Sequence, residues 1–505
     1  MAKPGFRILL KVISIYKIAK MILYKATLLH RKMSNRLKIK SASLEKVHIA
    51  IDQDFDRHLA KCRAFLKLKS VSATGEGIRE TAERIKEILT HLGAEVSLWG
   101  NKSFPIVYGR LNANSEKTLI IYGMYDVQPA EERNWISPPF EAEIHNVKGV
   151  GPCVIARGAC NSKGVLCGLF TVLETIKTTD TFPVNLVFTI EGEEEVGSPQ
   201  FEAFIRAHGD ELQGFGVVDF DFLQDLKGKV AMLLGHKGIV CMDLVCRGGQ
   251  SGGPIGTSLH GADSAWVASP VWRMIHALGS LTDRKENIKI PGLNKAVAPP
   301  SKRDLQLLKN LAQTFDETAF LKEMKSLCFK YDRSGIELLK KGLYSPIINI
   351  NGFKAGYTGS GTKTVLPRKA TAKIDIRFGP NLEPEQVVEY LKTHFAYQDY
   401  ADIEIIVRDA YTWAKTDFSE RVVQKMLQAY RLHGIEPEVW PMSTSAAPYF
   451  AFQRILGMPV VCGGLGHGGR VHVSNEYMSV KGLKDFEKFV ATLLYTVAAE
   501  EESFC

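Results

Sequence analysis

Apolar positions recur along the chain with two different periods, and the period predicts which element forms. A spacing of three to four residues predicts five helices in the body: Glu45–Leu68, Ile78–Leu92, Val165–Ile176, 418–433 and 479–498. Short continuous apolar runs predict buried strands between them: Thr118–Tyr122, Val184–Ile190, Phe215–Phe220 and 458–462. Strands that alternate with helices are typical of a layered α/β domain with a mainly parallel sheet.

The pattern changes after Gly238, where the order becomes strand, helix, strand, helix, strand. The predicted strands are Ile239–Cys246, Ala370–Phe378 and Ile403–Val407, and the predicted helices are Ser264–Leu278, Pro384–Phe395 and a polar stretch at about 302–340. We therefore expect a smaller α+β domain inserted into the α/β domain. The expected segments are an arm at 1–44, a first α/β part at 45–237, the insertion at 238–408 and a second α/β part at 409–505.

Composition excludes several classes of protein. Of 505 residues, 45% are hydrophobic and 24% are charged, which is ordinary for a globular protein and excludes disordered, collagen-like and membrane-spanning chains. The nine cysteines form no CxxC pair, which excludes zinc-ribbon and thioredoxin-like sites. So few cysteines favour a reducing compartment, and we expect a cytoplasmic protein.

The net charge of +9 comes from the N-terminal arm. Residues 1–44 hold eleven Lys and Arg and no acid, which leaves 53 basic against 55 acidic residues, so no nucleic-acid partner is expected. The pattern of residues 7–30 predicts a basic amphipathic helix. Three interpretations stay open: an upstream extension with the working start at Met33, a helix that holds residues 1–40 on a membrane surface, or an import presequence.

Four polar clusters lie after predicted strands or at the start of a helix. Ligands of open α/β sheets bind at such positions. They span residues 122–129, 157–164, 191–198 and 472–476. Three consecutive glutamates in the third cluster would repel one another unless a cation or an arginine offset their charge, although such a run is also typical of a solvated loop. Asp, Glu and His ligands suit zinc or manganese.

Several motifs in order resemble the di-zinc exopeptidases and aminoacylases, in their dipeptidase branch. They are YG-x-x-DVQP at 122–129, RGA-x-x-x-KG at 157–164, EG-x-EE-x-GS at 191–198, IPG-x-N-x-AVAP at 290–299 and G-x-GTKTV-x-PRK at 359–369. The resemblance covers about residues 45–500. It implies a zinc-binding α/β domain with an inserted lid that also forms a homodimer.

The resemblance implies a role for each matching residue. Glu194 matches the general base, and Glu195 and His472 match metal ligands. Asp221 matches a further ligand, with Asp219 as the competing assignment.

The remaining matches concern ligand orientation and the substrate. Asp126 matches the carboxylate that orients the first histidine ligand, and Thr364 and Arg377 match residues that bind the carboxyl end of the substrate. Cys160 adjoins Asn161 and is interpreted as a packed cysteine or as a replacement ligand. His236 and His467 are interpreted as structural or surface residues or, alternatively, as ligands.

Four positions depart from the family pattern. Met124 stands for the first histidine ligand, Asn161 for the bridging aspartate and Gln250 for the lid histidine that reaches the oxyanion. Ala446 stands for a substrate-binding serine, whose place Ser445 or Ser443 could take.

These departures change the expected metal content. Without a carboxylate between them, two dications would repel each other strongly. We expect one zinc or manganese ion, or none, with Glu195, His472, Asn161 and Asp221 as the candidate ligands. Gln250 can still donate a hydrogen bond to an oxyanion, although it carries no charge.

Three functions follow from these residues. The first is hydrolysis of a small amide or dipeptide-like, amino-acid-derived substrate, with Glu194 activating water. The second is a repurposed acyl-transfer or amide-forming enzyme of the same fold. The third is a non-catalytic member that binds a small ligand. Fold alone does not decide among them.

Overall fold

A computed structural model describes residues 42–249 and 251–500. The arm, including the predicted amphipathic helix, and Gln250 lie outside the described residues, so the interpretations of the arm stay predictions. Among the described residues, no helix is both long and apolar enough to cross a membrane.

The first part of the chain alternates helices and strands. Its helices are α1 (42–66), α2 (Ile78–Leu92), α3 (Lys163–Thr179) and α4 (Phe201–Ala207). Its strands are β1 (Glu95–Trp99), β2 (Ile106–Leu111), β3 (Thr118–Met124), β4 (Glu143–Val147), β5 (Gly151–Ile155), β6 (Asn185–Glu191), β7 (Val217–Phe220), β8 (Ala231–Leu233) and β9 (Gly235–His236).

The inserted part begins at Gly238 with the first strand of a new sheet. Its strands are β10 (Gly238–Arg247), β11 (Leu259–His260), β12 (Ile347–Ala355), β13 (Val365–Leu366), β14 (Lys369–Phe378) and β15 (Glu404–Tyr411). Its helices are α5 (Pro270–Leu281), α6 (Leu293–Ala296), α7 (Lys302–Thr314), α8 (Glu317–Glu323), α9 (Gly335–Tyr344) and α10 (Pro384–Tyr397).

The last part returns to the first sheet. Its strands are β16 (Ala414–Lys415), β17 (Glu438–Trp440), β18 (Val460–Gly463), β19 (Gly468–Gly469) and β20 (Tyr477–Ser479), and its helices are α11 (Arg421–Leu432) and α12 (Val480–Ala498). The described chain therefore leaves the α/β layers, forms a separate sheet and comes back.

The main sheet has eight strands in the order β1-β2-β6-β3-β7-β18-β8-β17. Strand β3 lies between β6 and β7 and is parallel to both, and β18 continues parallel to β7. This confirms the predicted α/β class with a mainly parallel sheet. Three loops that carry predicted site residues leave the same edge, because they follow the carboxyl ends of β3, β6 and β7.

Alternation along β3 explains the layers. Leu119 and Ile121 are buried in the cluster that includes α3 and α12, whereas Ile120 and Tyr122 face the cluster that includes α4. A strand with apolar side chains on both faces is covered on both faces, as parallel sheets require. Because both faces of β3 carry apolar side chains, its sequence is a continuous apolar run.

Helices α3 and α12 pack closely against each other in the core. A Cβ atom at Gly168 would lie 2.8 Å from the ring of Phe486, so only glycine permits this approach. Helix α12 directly follows β20, which itself follows the loop of His472.

The second sheet has the order β12-β14-β10-β15. Its strands pair antiparallel, and its core includes Met274 of α5 and Leu391 of α10. Helix α5 begins later than predicted because Ser269 caps it through the N–H groups of Val271 and Trp272 and Pro270 occupies its first turn. The division of the chain at residues 238 and 408 stays our proposal.

Candidate functional site

The Asp126 carboxylate holds the turn that carries the glutamates. Its Oδ1 accepts the N–H of Glu194 at 3.2 Å, and its Oδ2 accepts the N–H of Glu195 at 3.0 Å. Asp126 is fully buried, and burial, followed by the charge of Glu195, raises its pKa to about 7. The loop after β3 therefore fixes the one-turn 3₁₀ helix Glu194–Val196 after β6.

Glu195, His472 and Asn161 meet at this edge of the sheet. Oε1 of Glu195 lies 2.9 Å from Nε2 of His472 and accepts a 2.9 Å hydrogen bond from Nδ2 of Asn161. Asn161 Nδ2 also lies 3.1 Å from His472 Nε2. The other Glu195 oxygen accepts a 2.9 Å hydrogen bond from Gln128 Nε2. Three of the four candidate metal ligands are therefore brought together from three separate loops.

The two members of the Glu195–His472 pair differ in exposure. The Glu195 side chain is 4% exposed and that of His472 is 49% exposed. The hydrogen bond to Glu195 raises the pKa of His472. The pair therefore offers a largely buried oxygen ligand and a half-exposed nitrogen ligand. A site with these two ligands opens to solvent on the His472 side.

The buried Glu476 carboxylate holds the loop that carries Asn161. Its Oε1 accepts the backbone N–H groups of Cys160 and Asn161 at 3.0 and 2.9 Å, and its Oε2 accepts a 2.7 Å hydrogen bond from Arg157. The side chains of Arg157 and Glu476 are 3% and 1% exposed. Both residues stood in the predicted polar clusters without an assigned role. A buried ion pair between two motifs 319 positions apart carries no local signal in the sequence.

Glu194 lies at the centre of a group of carboxyl groups. Burial raises its pKa well above the ordinary value, and the charges of Glu195, Asp126 and Glu191 add to the shift. Among the described residues, no donor makes a hydrogen bond to its carboxyl group. A carboxyl group of this kind is a strong proton acceptor once it is ionised.

Asp221 and Asp219 lie at the end of β7, apart from the glutamate–histidine pair. Asp221 Oδ1 accepts the N–H of Phe222 at 2.7 Å, and burial raises the pKa of Asp221 to about 6. Asp219 accepts a hydrogen bond from the Tyr449 hydroxyl, and burial raises its pKa to about 8. Neither joins Glu195 and His472, since no three His, Cys, Asp or Glu side chains of the described residues form a group able to hold a metal. Among the described residues no contact joins Asp221 to Glu195 or His472, and its assignment as a ligand stays a prediction.

The chemistry of the available ligand atoms determines how well a metal ion fits the site. Met124, at the end of β3, is buried and brings only a thioether where a histidine nitrogen is expected. Asn161 presents Nδ2, a donor, to Glu195 and His472, so it supplies a lone pair only when its amide oxygen faces them. The ligand atoms that lie near one another are therefore those of Glu195, His472 and, with its amide turned, Asn161.

The predicted substrate-binding residues form two groups. Arg377 Nη1 donates a 3.3 Å hydrogen bond to the carbonyl of Thr444, and the next residue, Ser445, places its Oγ 3.0 Å from His236 Nδ1. The His236 ring packs edge-on against Tyr449, at 4.6 Å between centroids. Arg377, on β14, therefore contacts the loop that carries Ser445, and Tyr449 links that loop to Asp219.

Thr364 lies elsewhere, on the inserted part. Its Oγ1 is 3.3 Å from His260 Nε2, and no contact joins it to Arg377 or Ser445 within the part of the chain that the structure describes. Sequence reasoning gave His260 no role, and its pairing with Thr364 across 104 positions has no sequence signal. Gln250, which lies outside the described residues, stays a prediction.

Comparison with known proteins identifies the family. The model of Peptidase family M20/M25/M40 matches residues 120–499. The chain belongs to this family. The match confirms the resemblance drawn from the motifs and, with it, a hydrolase of the peptidase type.

Curated relatives in this family are named dipeptidases. The Cys-Gly metallodipeptidase DUG1 of Saccharomyces cerevisiae is 26% identical over 415 residues, which cover 79% of this chain and 83% of the relative. The Beta-Ala-His dipeptidase of Homo sapiens is 25% identical over 501 residues, or 92% of this chain and 95% of the relative.

Solved structures agree in fold. The M20 family metallo-carboxypeptidase Sso-CP2 of Sulfolobus solfataricus has a TM-score of 0.79 at 30% identity, covering 87% of this chain and 99% of its own. The dipeptidase Dug1p of Saccharomyces cerevisiae has a TM-score of 0.79 at 24% identity, covering 91% and 99%. The names of these relatives favour the hydrolase over the acyl-transfer and non-catalytic alternatives.

Glu191, at the end of β6, generates a prediction about stability. It is buried and accepts a 2.7 Å hydrogen bond from the Tyr122 hydroxyl, and burial raises its pKa from 4.5 to about 8. Because the folded pKa is the higher one, the stabilising contribution of Glu191 is complete below pH 4.5 and is lost as the pH rises to about 8. Glu191→Gln keeps the acceptor and removes the charge. The free energy of unfolding of Glu191→Gln should therefore exceed that of wild type above pH 5. The difference should grow by at most about 1.4 kcal/mol per pH unit.

Urea unfolding at pH 5, 7 and 9, in the presence of a chelator, measures this difference. The exposed Glu202 supplies the matched control Glu202→Gln, whose effect should not change with pH. A difference between Glu191→Gln and wild type that stays constant from pH 5 to pH 9 would contradict the prediction.

Proposed function

We propose that the chain hydrolyses the amide bond of dipeptide-like, amino-acid-derived substrates, with Glu194 as general base and one zinc or manganese ion. The observation that carries the proposal is the turn held by Asp126. It presents the Glu194 carboxyl group beside the Glu195–His472 pair, where the donor atoms lie 2.9 Å apart. The names of the relatives support the substrate class.

Glu195, His472 and the oxygen of Asn161 are the residues that would hold the ion. When bound, a zinc or manganese ion supplies Lewis-acid chemistry that polarises a carbonyl and acidifies water. Gln128 binds the second oxygen of Glu195, and this hydrogen bond orients the first oxygen toward His472. Asp221 remains a candidate further ligand.

Glu194 moves the proton in this mechanism. Its ionised carboxylate takes a proton from the attacking water as the water oxygen bonds to the amide carbon. The same carboxyl group then gives that proton to the leaving nitrogen as the carbon–nitrogen bond breaks. The raised pKa suits both steps, because a stronger base holds the proton until the amine accepts it.

Arg377 and Ser445 are proposed to bind the free carboxylate of the substrate. Among the described residues, the Arg377 guanidinium makes a single hydrogen bond, to the Thr444 carbonyl. Its remaining N–H groups match a carboxylate. Thr364 and Gln250 are proposed to act from the inserted part, Thr364 on the substrate and Gln250 as an oxyanion donor.

Replacing the general base tests the proposed reaction. Glu194→Gln should lower kcat for a dipeptide such as Ala-Ala by about 10²–10⁴-fold, because an amide accepts no proton from water. Substrate binding should be kept, since the turn is held by backbone N–H groups that the substitution leaves in place. The control Glu202→Gln should have wild-type kinetics. Unchanged turnover in Glu194→Gln would refute the assignment, and an inactive wild type would refute hydrolysis.

Metal content tests the single-ion part of the proposal. Wild-type protein should hold at most one zinc or manganese ion per chain, and Met124→His with Asn161→Asp should hold two. The added aspartate supplies the negative charge that two cations need between them. Elemental analysis counts the ions, and Met124→Leu with Asn161→Gln, which adds no ligand, is the matched control. An equal count in all three proteins would mean that these two positions do not limit the site.

We further propose a homodimer formed through the inserted part. Strand β12 lies at the edge of its sheet and exposes Ile350 and Phe353. An apolar, unpaired strand edge favours pairing with another strand.

Light scattering measures the oligomeric state. Wild type should be a dimer, and Ile350→Lys with Phe353→Lys should be a monomer, because lysines on an edge strand oppose strand pairing. Val407→Lys, at an exposed position on the opposite edge strand β15, should stay dimeric. A monomeric wild type, or a double variant that stays dimeric, would refute this interface.

A further inference from the structure

An apolar cavity of about 400 Å³ lies between the helices of the insertion and strand β17. Helices α8 and α9 and the segment between them form one wall, and β8 and β17 form the other. The residues that define its shape are Phe315, Phe320, Phe329, Leu339, Leu343 and Trp440. None of these residues belongs to the catalytic turn or to the glutamate–histidine pair.

Aromatic rings make up much of the cavity wall. Phe315 packs edge-on against Trp440, at 5.7 Å between centroids, and lies 5.3 Å from Phe320. Phe320 stacks on Phe329 at 6.1 Å. Rings arranged edge-on and stacked leave both ring faces and ring edges for a further aromatic group. A cavity of about 150 Å³ accommodates benzene, so the volume here suffices for a phenyl, phenol or indole ring.

The cavity continues into the proposed carboxylate-binding loop. Ser443 and Thr444 line it, and the Thr444 carbonyl accepts the hydrogen bond from Arg377. The next residue, Ser445, contacts His236. The apolar cavity therefore lies directly beside the residues that are proposed to bind the substrate carboxylate.

Basic side chains lie close to the cavity. Lys237 is fully buried and donates hydrogen bonds to the carbonyls of Gly342 and Ser345, at 2.7 and 2.6 Å. Burial, followed by the charges of Arg377, Lys330 and Lys341, lowers the pKa of Lys237 to about 7. Lys330 lines the cavity and is paired with Glu286. The Arg377 guanidinium supplies positive charge next to the apolar wall, and such a charge attracts an anionic group.

We propose that this cavity receives the aromatic side chain of the carboxyl-terminal residue of the substrate, while Arg377 binds the free carboxylate of that residue. The inference rests on the proposed function, because it takes the substrate to be a dipeptide-like amide. It narrows the substrate class to dipeptides and N-acyl amino acids that end in Phe, Tyr or Trp.

Gly342 offers a way to fill the cavity without disturbing its walls. It lies on α9, lines the cavity, and a Cβ atom added there would meet no heavy atom within 4 Å. Leucine also favours a helix over glycine. Gly279, on α5, likewise has open space around an added Cβ and does not line the cavity, so Gly279→Leu is the matched control.

Kinetics with two dipeptides tests the proposal in the full-length protein. Wild type should prefer Ala-Phe to Ala-Gly, and Gly342→Leu should lower kcat/KM for Ala-Phe by about 30-fold, mainly through KM, since the ring loses its apolar site. Hydrolysis of Ala-Gly by Gly342→Leu, and of both dipeptides by Gly279→Leu, should stay within about twofold of wild type. Equal hydrolysis of Ala-Phe and Ala-Gly by wild type, unchanged in Gly342→Leu, would overturn the pocket and leave the proposed function standing.

Calorimetric binding separates failure of the pocket from failure of the reaction. N-acetyl-L-phenylalanine should bind wild type more tightly than N-acetylglycine does, and Gly342→Leu should remove that preference. This result in a protein that hydrolyses neither dipeptide would support the pocket and refute hydrolysis. Absence of binding together with absence of hydrolysis would overturn both.

Discussion

Two hydrogen bonds from the backbone of one loop to the buried carboxylate of another determine where the reactive groups of this protein lie. Asp126 ends the loop after β3 and accepts the N–H groups of Glu194 and Glu195. Three successive glutamates would separate if their turn were free, because like charges repel in a cleft of low dielectric constant. The turn is held in place, since it follows β6 and the fully buried Asp126 follows the adjacent parallel strand β3. The position of the proposed base therefore follows from the sheet.

A second buried carboxylate repeats this arrangement on the opposite side of the site. Glu476 binds two backbone N–H groups of the loop that carries Asn161 and is itself paired with Arg157. Asn161 and Glu195 are thus held from separate elements, each through backbone groups that a side-chain replacement does not remove. This support keeps Asn161 beside Glu195 and His472, although Met124 and Asn161 do not match the ligands of the family pattern.

The sequence predicted those features that depend on local pattern or on chain order. Helix α2 has the predicted bounds because its apolar residues repeat at helical spacing and all face the core. Strand β12 was missed, because most of its residues are exposed and its pattern resembles that of a polar loop. The convergence of Glu195, His472 and Asn161 was predictable from strand ends and motifs. The amide orientation of Asn161, the support from Gln128 and Glu476, and the aromatic cavity were not, because residues far apart in sequence create them.

The carboxyl groups at this edge of the sheet form one electrostatic unit. Asp126, Glu191, Glu194 and Asp219 each have a pKa raised chiefly by burial, and a neighbouring carboxylate adds to each shift. Protons, a bound cation or nearby basic side chains can offset such a concentration of negative charge. Asn161 carries no charge where the family pattern has an aspartate, so the cluster requires one positive charge fewer for balance. In the proposed single-ion site, this missing negative charge offsets half of the charge of the second dication. The substitution that is proposed to weaken the metal site therefore also lowers the electrostatic cost of leaving it partly filled.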